Sequence, residues 1–452
     1  MDMEAVRDFF QSDRTLSIDF RKASLKRLKD SVCRCQKALE DALKLDLGKS
    51  ETEAYMSEIG LVYSAIDFAL ENLKSWAKPR RVRVPLAHFW SKGRIVMEPY
   101  GVVLIVSPWN YPVLLTLEPL VAAVAAGNCC VLKLSESSAN TSAVLVKMLK
   151  ETFPSDYVMV ADVDVDAFKL MLDSYRFDYV FFTGGVEIGR SVMQRVSKFL
   201  TPMTLELGGK SPCVVERSAD LRIAARRIAF GKFLNCGQTC VAPDYLMVES
   251  CVKDDLLQCL KEEIVNMFGE APLANPDYGK IINKRHYDRI LALMDENKVF
   301  FGGAMDKERL KISPTLLVDV SEEDAVMQEE IFGPLLPVLT VETVGEAYDF
   351  VRRRPKPLAF YLFTKDKRVE RKFMNTLQFG GGCVNDTIVH LATDKLPFGG
   401  VGDSGFGNYH GRWSFETFSR PKSILKKTNL FDLPFRYQPY TKLKCRLIKF
   451  FM

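Results

Sequence analysis

Residues 102–134 read VVLIVSPWNYPVLLTLEPLVAAVAAGNCCVLKL. A long apolar run in the middle of this stretch has a short apolar run before it and another after it. VVLIV, at 102–106, is too short for a buried helix and rich in β-branched residues, which favours a buried strand. Residues 117–126 then predict a helix that ends at Gly127, and CVLKL, at 130–134, predicts the next strand. A strand, a helix and a strand in this order indicate a parallel sheet covered by helices.

Strands and helices continue to be predicted on both sides of this stretch. Apolar residues recur at helical spacing from residue 6 to about residue 76. The segment LELGGK, residues 205–210, marks the start of a second α/β unit. The other predicted elements are strands at 157–160, 178–183 and 245–249 and helices at 190–199, 224–234 and 254–268. This order predicts an α/β fold with doubly wound parallel sheets.

The composition is that of an ordinary globular protein and argues against some function classes. A length of 452 residues predicts two or three domains. The net charge of +5 is small for this length and no RNA- or DNA-binding signature occurs, which argues against nucleic-acid binding. No run approaches the roughly 18 apolar residues of a spanning helix. The acidic start MDMEAV also lacks the pattern of a signal peptide.

The cysteines and histidines indicate a reduced protein without a structural metal site. The 11 cysteines are odd in number and lie in apolar contexts, which is typical of a cytosolic protein with free thiols. Neither HExxH nor CxxC occurs among the 4 histidines and these cysteines. Cys236 and Cys240 are four positions apart, and no second pair complements them. These spacings argue against zinc.

The loop GGVEIGRS, residues 184–191, separates a predicted strand from a predicted helix. Its glycines and the amino terminus of the helix suit an anionic phosphate. The loop resembles a P-loop, except that Arg190 occupies the position of the lysine, and it lacks the GxGxxG fingerprint. Taken alone, it leaves two interpretations open, a phosphate contact and a tight turn.

Two carboxylates stand out by their apolar surroundings. Glu206 lies within LELGGK, where poor solvation raises a carboxyl pKa toward the range of a general base. Glu330 in EEIFGP precedes Phe332, so that the carboxylate could hold ribose hydroxyls while the ring covers a planar group. Each carboxylate could instead be structural, with Glu206 accepting hydrogen bonds from glycine amides.

The segment NCGQTCVAPDY, residues 235–245, contains two cysteines in different contexts. Cys240 lies between a predicted helix and a predicted strand, and such a turn exposes sulfur to backbone N–H donors. Cysteine is also among the residue types most often buried, so a packing role stays open. Cys236, on the last turn of the preceding helix pattern, fits that packing role better.

Six motifs occur in one order: PWNYP (108–112), LKLSE (132–136), FTGGVEIG (182–189), LELGGKSP (205–212), NCGQTCVAPDY (235–245) and EEIFGP (329–334). Together they resemble the aldehyde dehydrogenase superfamily. Two segments resemble the class 3 branch of this superfamily in sequence: CGQTCVAPDY and LPFGGVGDSGFGNYHG, residues 396–411. That branch includes the dimeric class 3 and the fatty aldehyde dehydrogenases. The resemblance spans nearly the whole chain, from about Arg21 to Pro439.

The resemblance implies a cysteine mechanism with NAD or NADP as the cofactor. Cys240 would attack the aldehyde, and the Asn110 side-chain amide with the backbone N–H of Cys240 would stabilise the oxyanion of the thiohemiacetal. Glu206 would activate the water that hydrolyses the thioester. The implied cofactor contacts are Lys133 and Glu136 at the adenosine ribose, Gly184, Gly185, Val186, Glu187, Ile188 and Gly189 beside the pyrophosphate, Glu330 at the nicotinamide ribose and Phe332 against the ring.

The resemblance also predicts the domain organisation, an aldehyde dehydrogenase-like α/β fold with two doubly wound parallel-sheet domains. Residues 1–78 and 102–205 form the cofactor-binding domain and residues 206–388 the catalytic domain. Residues 79–101 and 389–438 form a bridging segment that completes a homodimer. The basic run KPRRVRV, residues 78–84, leads into this segment with the alternation of a strand, although a solvated edge gives the same pattern.

Residues 439–452 form a basic amphipathic tail. Leu443, Leu447 and Phe451 recur every four residues among basic side chains, a pattern that suits a short helix on an anionic membrane. Packing on a partner subunit or across the substrate entrance fits the pattern as well. The expected location is the cytoplasm, with peripheral membrane contact left open.

The preferred interpretation is NAD(P)-dependent oxidation of medium- or long-chain aliphatic aldehydes to carboxylic acids, with aromatic aldehydes as a further option. Three alternatives are weaker. A P-loop phosphotransferase would need the lysine that Arg190 replaces. A non-catalytic relative would have no use for Cys240, Asn110 and Glu206, and an acylating enzyme that depends on coenzyme A would have none for Glu206.

Overall fold

The computed structural model describes residues 2–85, 88, 90–430 and 432–451. Its helices are α1 Met3–Gln11, α2 Ile18–Leu47, α3 Glu51–Ala54, α4 Gly60–Trp76, α5 Leu114–Ala126, α6 Ala139–Thr152, α7 Val165–Ser174, α8 Val186–Ser197, α9 Leu221–Phe233, α10 Lys253–Phe268, α11 Lys284–Ala292, α12 Ala325–Gln328, α13 Val344–Arg353, α14 Lys367–Thr376, α15 Gly411–Thr417 and α16 Lys442–Phe451.

The strands are β1 Arg80–Val82, β2 Ser91–Pro99, β3 Val102–Val106, β4 Cys129–Lys133, β5 Val158–Val160, β6 Tyr179–Gly184, β7 Met203–Leu207, β8 Pro212–Val215, β9 Tyr245–Glu249, β10 Val299–Phe301, β11 Met305–Asp306, β12 Lys311–Ile312, β13 Thr315–Leu317, β14 Leu335–Val341, β15 Ala359–Phe363, β16 Gly381–Val384, β17 Gly405–Phe406 and β18 Ser419–Lys427. Two parallel sheets covered by helices confirm the predicted α/β class.

The first sheet has the strand order β17-β7-β6-β3-β4-β5 among the described residues. All its neighbouring strands are parallel except β17, which runs antiparallel to β7. Every residue of β3 and β4 is buried, as expected for strands with helices on both faces. The strand order reverses at β3, with β4 and β5 on one side and β6 and β7 on the other. In such sheets ligands bind at the carboxyl ends of the strands beside the reversal.

The helix predicted to begin at Leu117 begins at Leu114 instead. The amides of Val113 and Leu114 both donate to Oε2 of Glu58, at 2.8 and 3.2 Å. A carboxylate from a distant segment thus satisfies the free N–H groups at this helix end, which the local sequence does not indicate.

The second sheet has the order β10-β13-β14-β9-β8-β15-β16 within the described part of the chain. Its strands are parallel apart from the β10–β13 pair. Residues 234–244, which include Cys240, connect α9 to β9 and therefore lead into the amino-terminal end of this sheet.

A third, antiparallel sheet has the order β1-β2-β18, as far as the described residues go. It confirms the strands expected after the basic run at 78–84, and β18 pairs with β2 along its whole length. The predicted bridging segment 389–438 is divided differently, because β17 pairs with β7 in the first sheet while β18 joins β2. The predicted boundary between residues 205 and 206 falls inside β7. The assignment of domains to roles stays a prediction.

Two local predictions are wrong. The helix after the glycine loop begins at Val186 rather than near Arg190, because the amide of Gly189 already donates to the carbonyl of Gly185. Cys236 does not lie on a last helical turn, since α9 ends at Phe233. At the chain's end, α16 forms a helix without a buried residue, and no helix in the described ranges is both long and apolar enough to cross a bilayer.

Candidate active site

The two cysteines of NCGQTCVAPDY lie in different surroundings. Cys240 is partly exposed, whereas Cys236 is only 2% exposed and packs in the core beside Tyr278 and Tyr287. All eleven cysteines of the chain are free thiols. The structure therefore gives solvent access to the cysteine for which the resemblance implies a reaction and packs the other one away.

A sharp turn precedes Cys240. Asn235, Cys236 and Gly237 have φ angles of +52°, +54° and +73°, so three successive residues adopt the left-handed conformation. A Cβ on Gly237 would lie 2.2 Å from the carbonyl oxygen of Gly333, so only glycine fits at this position. Strained backbone of this kind persists where surrounding contacts hold it, and it is common at active sites.

Side-chain amides hold this turn in place. Nδ2 of Asn235 donates to the carbonyls of Asn110 and Gln238, at 2.8 and 3.2 Å. Nε2 of Gln238 donates to the carbonyls of Asn235 and Lys280, both at 3.0 Å. Because these side chains are buried, their bonds fix the loop that presents Cys240.

Asn110 lies beside the same loop. Its Nδ2 donates to the carbonyl of Gln238 at 3.0 Å, two residues before Cys240. An amide nitrogen carries two hydrogens, so one N–H orients the side chain and the second is available to an oxyanion. The structure thus brings the predicted oxyanion donor to the predicted nucleophile.

A buried ion pair supports the backbone of Asn110. Nζ of Lys49 lies 2.6 Å from Oε1 of Glu58, and both side chains are 0% exposed. The same ammonium donates to the carbonyl of Asn110 at 3.3 Å and lies 4.0 Å from the ring centre of Tyr111. With its second oxygen bound to the start of α5, Glu58 connects the PWNYP loop to the helix that follows it.

Glu206 is buried without a partner. It lies near the carboxyl end of β7, is 3% exposed, and neither carboxylate oxygen has a hydrogen-bond partner among the described residues. Burial raises the pKa of Glu206 well above its ordinary value. A carboxylate in this state accepts a proton readily, as a general base must.

The electrostatic surroundings of Cys240 favour its protonated form. Burial, and after it the nearby charges of Glu330 and Glu206, raise the pKa of its thiol to about 12, against the opposing effect of the backbone N–H groups of Cys240 and Val241. Both predicted carboxylates therefore lie within electrostatic range of the thiol. A positive charge bound beside them would lower the pKa again.

The EEIFGP loop is clamped by two other motifs. Nζ of Lys210 contacts Asp244 and donates to the carbonyls of Val326 and Glu329, both at 2.8 Å. Oδ1 of Asp244 accepts from the amide of Ile331 at 2.9 Å. LELGGK, APDY and EEIFGP thus form one hydrogen-bonded unit around the site.

This unit holds Glu330 against the backbone of LELGGK. A Cβ on Gly208 would lie 2.1 Å from Oε2 of Glu330, so the carboxylate occupies the space that a side chain would fill. Burial raises the pKa of Glu330 to about 8. Phe332, two residues later, has a φ of +46° and meets Trp109 edge-on with ring centres 5.4 Å apart. The predicted ring-facing residue therefore lies next to the PWNYP loop.

The remaining predicted cofactor residues lie where the strand order of the first sheet reverses. Lys133 ends β4, and its Nζ lies 3.1 Å from Oε1 of Glu136. Gly184 ends β6 and Gly185 precedes α8, whose first turn contains Val186, Glu187, Ile188 and Gly189.

These residues fit a dinucleotide. No side chain caps α8, and a Cβ on Gly185 would meet nothing within 4 Å, so there is open space beside this helix end. An uncapped helix amino terminus suits the phosphates of such a cofactor. No group of three or more His, Cys, Asp or Glu side chains in the described ranges could hold a metal ion.

Sequence reasoning missed the residues that support the site. Lys49 and Glu58 lie in the helical amino-terminal part, where charged residues are ordinarily read as solvated. Gln238 lies within NCGQTCVAPDY, but the sequence alone predicted no role for it. Only the folded chain shows that these polar side chains are buried.

Comparisons with known proteins agree with the motifs and the geometry. The sequence profile of the aldehyde dehydrogenase family matches residues 2–424. The chain is 44% identical to 4,4'-diaponeurosporen-aldehyde dehydrogenase of Staphylococcus aureus, covering 98% of this chain and 96% of that protein. It is 42% identical to aldehyde dehydrogenase family 3 member A2 of Rattus norvegicus, covering 100% and 93%.

A solved structure supports the same assignment. The substrate-bound state of Staphylococcus aureus AldH superposes with a TM-score of 0.97 at 44% identity, covering 99% of this chain and 98% of that one. This agreement extends over both parallel sheets and the small antiparallel sheet. The resemblance inferred from the motifs is confirmed, and the chain belongs to the aldehyde dehydrogenase family.

Proposed function

We propose that this aldehyde dehydrogenase oxidises medium- or long-chain aliphatic aldehydes, and aromatic ones as a further class, to carboxylic acids through a thioester on Cys240. One observation carries the proposal: the partly exposed residue Cys240 lies in the same site as Asn110, whose side chain donates to the carbonyl of Gln238, and as the buried, unpartnered carboxylate of Glu206, whose charge raises the pKa of the thiol. This set provides a nucleophile, an oxyanion donor and a base as separate groups.

In the first half of the reaction the thiolate of Cys240 attacks the aldehyde carbon and forms a thiohemiacetal. The Asn110 side-chain N–H that is not bound to Gln238, together with the Cys240 backbone N–H, stabilises the oxyanion, which is worth about 3 kcal/mol for each such donor. When bound, NAD or NADP supplies the hydride acceptor that the oxidation needs. Lys133, Glu136, the first turn of α8, Glu330 and Phe332 hold that cofactor in this proposal.

In the second half Glu206 takes a proton from water, the resulting hydroxide attacks the thioester, and the Cys240 thiolate leaves as the acid forms. The unpartnered state of Glu206 supports this role, because a carboxylate already engaged by donors would be a weaker base. A separate base also favours hydrolysis over acyl transfer to coenzyme A, since transfer to a thiol would not need an activated water.

The assembly and location are proposed from the outer elements. β18 is an edge strand with mostly exposed residues, and an unpaired edge of this kind suits the bridge of a homodimer. The helix α16 carries basic and apolar side chains without burying any in its own chain, so it is free to contact a membrane surface, a partner subunit or the substrate entrance. A cytoplasmic location remains the expectation.

The test measures formation of the reduced cofactor by the purified protein without coenzyme A. Hexanal, hexadecanal and benzaldehyde are each offered with NAD and with NADP, and Cys240→Ser and Cys236→Ser serve as a matched pair. Turnover in the wild type and in Cys236→Ser, with loss in Cys240→Ser, supports the proposal. Full activity of Cys240→Ser, or a strict need for coenzyme A, contradicts it. The substrate with the highest kcat/KM then defines the chain-length class.

A further inference from the structure

The antiparallel sheet β1-β2-β18 separates its side chains by charge. Residues directly opposite each other in neighbouring strands lie on the same face of a sheet, and successive residues along a strand alternate between the two faces. Arg94 lies opposite Arg81 in β1 and opposite Ile424 in β18, so these three side chains share one face. The register assigns six further residues to that face: Lys92, Val96, Glu98, Arg420, Lys422 and Lys426. We call these nine residues the basic face, because six of them are basic and one is acidic.

The opposite face of the same sheet has a different composition. Its apolar members are Val82, Ile95, Met97, Pro421 and Leu425, whereas its basic members, Arg80 and Lys427, lie at strand ends. Val82 and Leu425 are 40% and 51% exposed. Exposed apolar side chains suit contact with a protein partner. The proposed homodimer therefore has an apolar face and the β18 edge available, and it does not need the basic face.

The positive charges of the basic face are only partly compensated within the chain. Glu98 pairs with Arg420 and with Lys422. The other four basic side chains are exposed and form no ion pair with any residue that the structure describes: Arg81, Lys92, Arg94 and Lys426. The six basic side chains and Glu98 leave five positive charges in excess, which equals the formal net charge of +5 of the whole chain. The rest of the chain is therefore neutral in sum.

Two pairs of like charges lie opposite each other across the strands. Arg81 is directly opposite Arg94, and Lys92 is directly opposite Lys426. Like charges in directly opposite positions destabilise a sheet, so this arrangement costs stability in the isolated protein. Bound anions would remove the repulsion. The basic face is therefore suited to a negatively charged partner.

The extent of the basic face suits a lipid surface. β18 pairs with β2 over its whole length of 9 residues, which corresponds to roughly 30 Å at about 3.4 Å per residue. The partly buried apolar side chains of Val96 and Ile424 lie among the charges. Anionic phospholipid headgroups attract Lys and Arg side chains, and an extended array of cations contacts many headgroups at once. The same stretch of chain continues into α16, which again combines basic and apolar side chains.

Two other partners fit the basic face less well. Single-stranded nucleic acid is bound through aromatic side chains on which the bases stack, and none of the nine residues of the basic face is aromatic. A second copy of this chain in an isologous contact would place two basic faces against each other, because such a contact uses the same patch of both subunits. The repulsion would then increase instead of being removed.

We propose that the basic face binds the enzyme to the surface of membranes that contain anionic phospholipids. Its cations contact the headgroups, while the apolar face and the edge of the same sheet stay available to a partner subunit. This binding is electrostatic and needs neither an aldehyde nor the thiol of Cys240. It therefore goes beyond the proposed function and can be measured without turnover.

The test measures sedimentation of the purified protein with vesicles of phosphatidylcholine alone and of phosphatidylcholine mixed with phosphatidylserine. The first variant, Lys92→Gln with Lys426→Gln, removes one like-charge pair from the basic face. The matched control, Lys307→Gln with Lys365→Gln, removes two exposed lysines elsewhere and changes the net charge equally. Each cation near an anionic surface contributes roughly fivefold in affinity, so the first variant should bind mixed vesicles about 25-fold more weakly. The control should bind them nearly as tightly as the wild type does.

Denaturation shows that a loss of binding is not a loss of folding. Because the first variant removes a repulsion across the strands, its midpoint of urea denaturation should equal or exceed that of the wild type. Arg81→Gln with Arg94→Gln removes the other like-charge pair and should weaken vesicle binding in the same way. In the wild type, added NaCl should weaken binding to mixed vesicles, since salt screens exposed charges.

Four results would overturn the proposal. The first is equal binding of the wild type to both kinds of vesicle, which involves no variant. The second is unchanged binding of both basic-face variants, and the third is a loss confined to Lys442→Gln with Lys449→Gln in α16. The fourth is tighter binding of a single-stranded oligonucleotide than of mixed vesicles at equal phosphate concentration. None of these results affects the reaction at Cys240, which is tested by turnover.

Discussion

Glu58 and Glu206 are two carboxylates that are buried almost equally, yet the structure treats them in opposite ways. Glu58 is 0% exposed, is paired with Lys49 and accepts from the amides of Val113 and Leu114. Glu206 is 3% exposed, and neither oxygen finds a donor among the residues that the structure describes. The first arrangement is what stability requires of a buried charge, and the second is what stability alone would avoid.

This difference matches the roles that we propose for the two residues: Glu58 supports the backbone of the site, and Glu206 takes part in the reaction. Lys49 of the Lys49–Glu58 pair donates to the carbonyl of Asn110, whereas Glu206 has a raised pKa and is the general base in the mechanism that we propose. The hydrogen-bonding capacity of Glu58 is used, whereas that of Glu206 is not. The buried carboxyl group of Glu206 therefore makes the folded state less stable than a hydrogen-bonded group would. Unsatisfied groups of this kind cluster at functional positions, because the missing partner is the substrate or a reacting water.

Breaking the buried Lys49–Glu58 ion pair should have the largest effect. Lys49→Met leaves Glu58 buried without its partner, so we expect the free energy of unfolding to fall by about 3–5 kcal/mol. Chemical denaturation followed by circular dichroism measures this loss. Lys37→Met, which breaks a pair of exposed side chains, serves as the control and should leave the midpoint nearly unchanged. An equal response of the two variants would show that the buried pair has no special structural role.

Replacing Glu206, whose carboxylate has no hydrogen-bond partner among the described residues, should affect turnover instead of folding. Glu206→Gln should lower kcat for hexanal roughly 10²- to 10³-fold, since general bases contribute factors of this order. At pH 4, where the carboxyl group of Glu206 is largely protonated in the folded and in the unfolded chain, the midpoint of thermal unfolding should change little, because no hydrogen bond is lost. Stopped-flow kinetics should show a burst of reduced cofactor in the variant, as the thioester forms and then hydrolyses slowly. A large loss of stability with normal kcat would reverse the roles assigned to the two carboxylates.

The smallest effect should appear in the pH dependence of stability. The folded pKa of Glu206 is raised above its ordinary value of 4.5, so its favourable contribution is complete at low pH and is lost as pH rises through the folded pKa. Gln does not ionise, so wild type should lose stability relative to Glu206→Gln by up to ~1.4 kcal/mol per pH unit within that interval. Urea denaturation at pH 5, 7 and 9 measures the difference. A difference independent of pH would mean that Glu206 is not buried as its pKa requires.

The elements that could be predicted from sequence are those whose signal is local. β3 follows from VVLIV because a run of β-branched residues buried on both faces has few alternatives. The motifs that carry Asn110, Glu206, Cys240 and Glu330 were recognised by resemblance, and the structure brings them into one site. Their roles in the reaction stay predictions until the variants are measured.

What could not be predicted depends on contacts between distant segments. The left-handed turn at Asn235 and Cys236 continues a helical pattern in sequence, and the carbonyl of Gly333 from another loop leaves room only for glycine at position 237. The early start of α5 depends on Glu58 in the same way.

The short antiparallel pairing of β17 with β7 has a consequence for biosynthesis. Gly405 is the register partner of Glu206, so a segment translated long after Glu206 completes the pairing of the strand on which that carboxylate lies. Contacts so distant in sequence form late, because the long intervening loop must close first. A ribosome-bound chain that already contains Cys240 would therefore not yet hold Glu206 in its final position. The newly made protein acquires its reactive centre only after the segment around Gly405 has been synthesised.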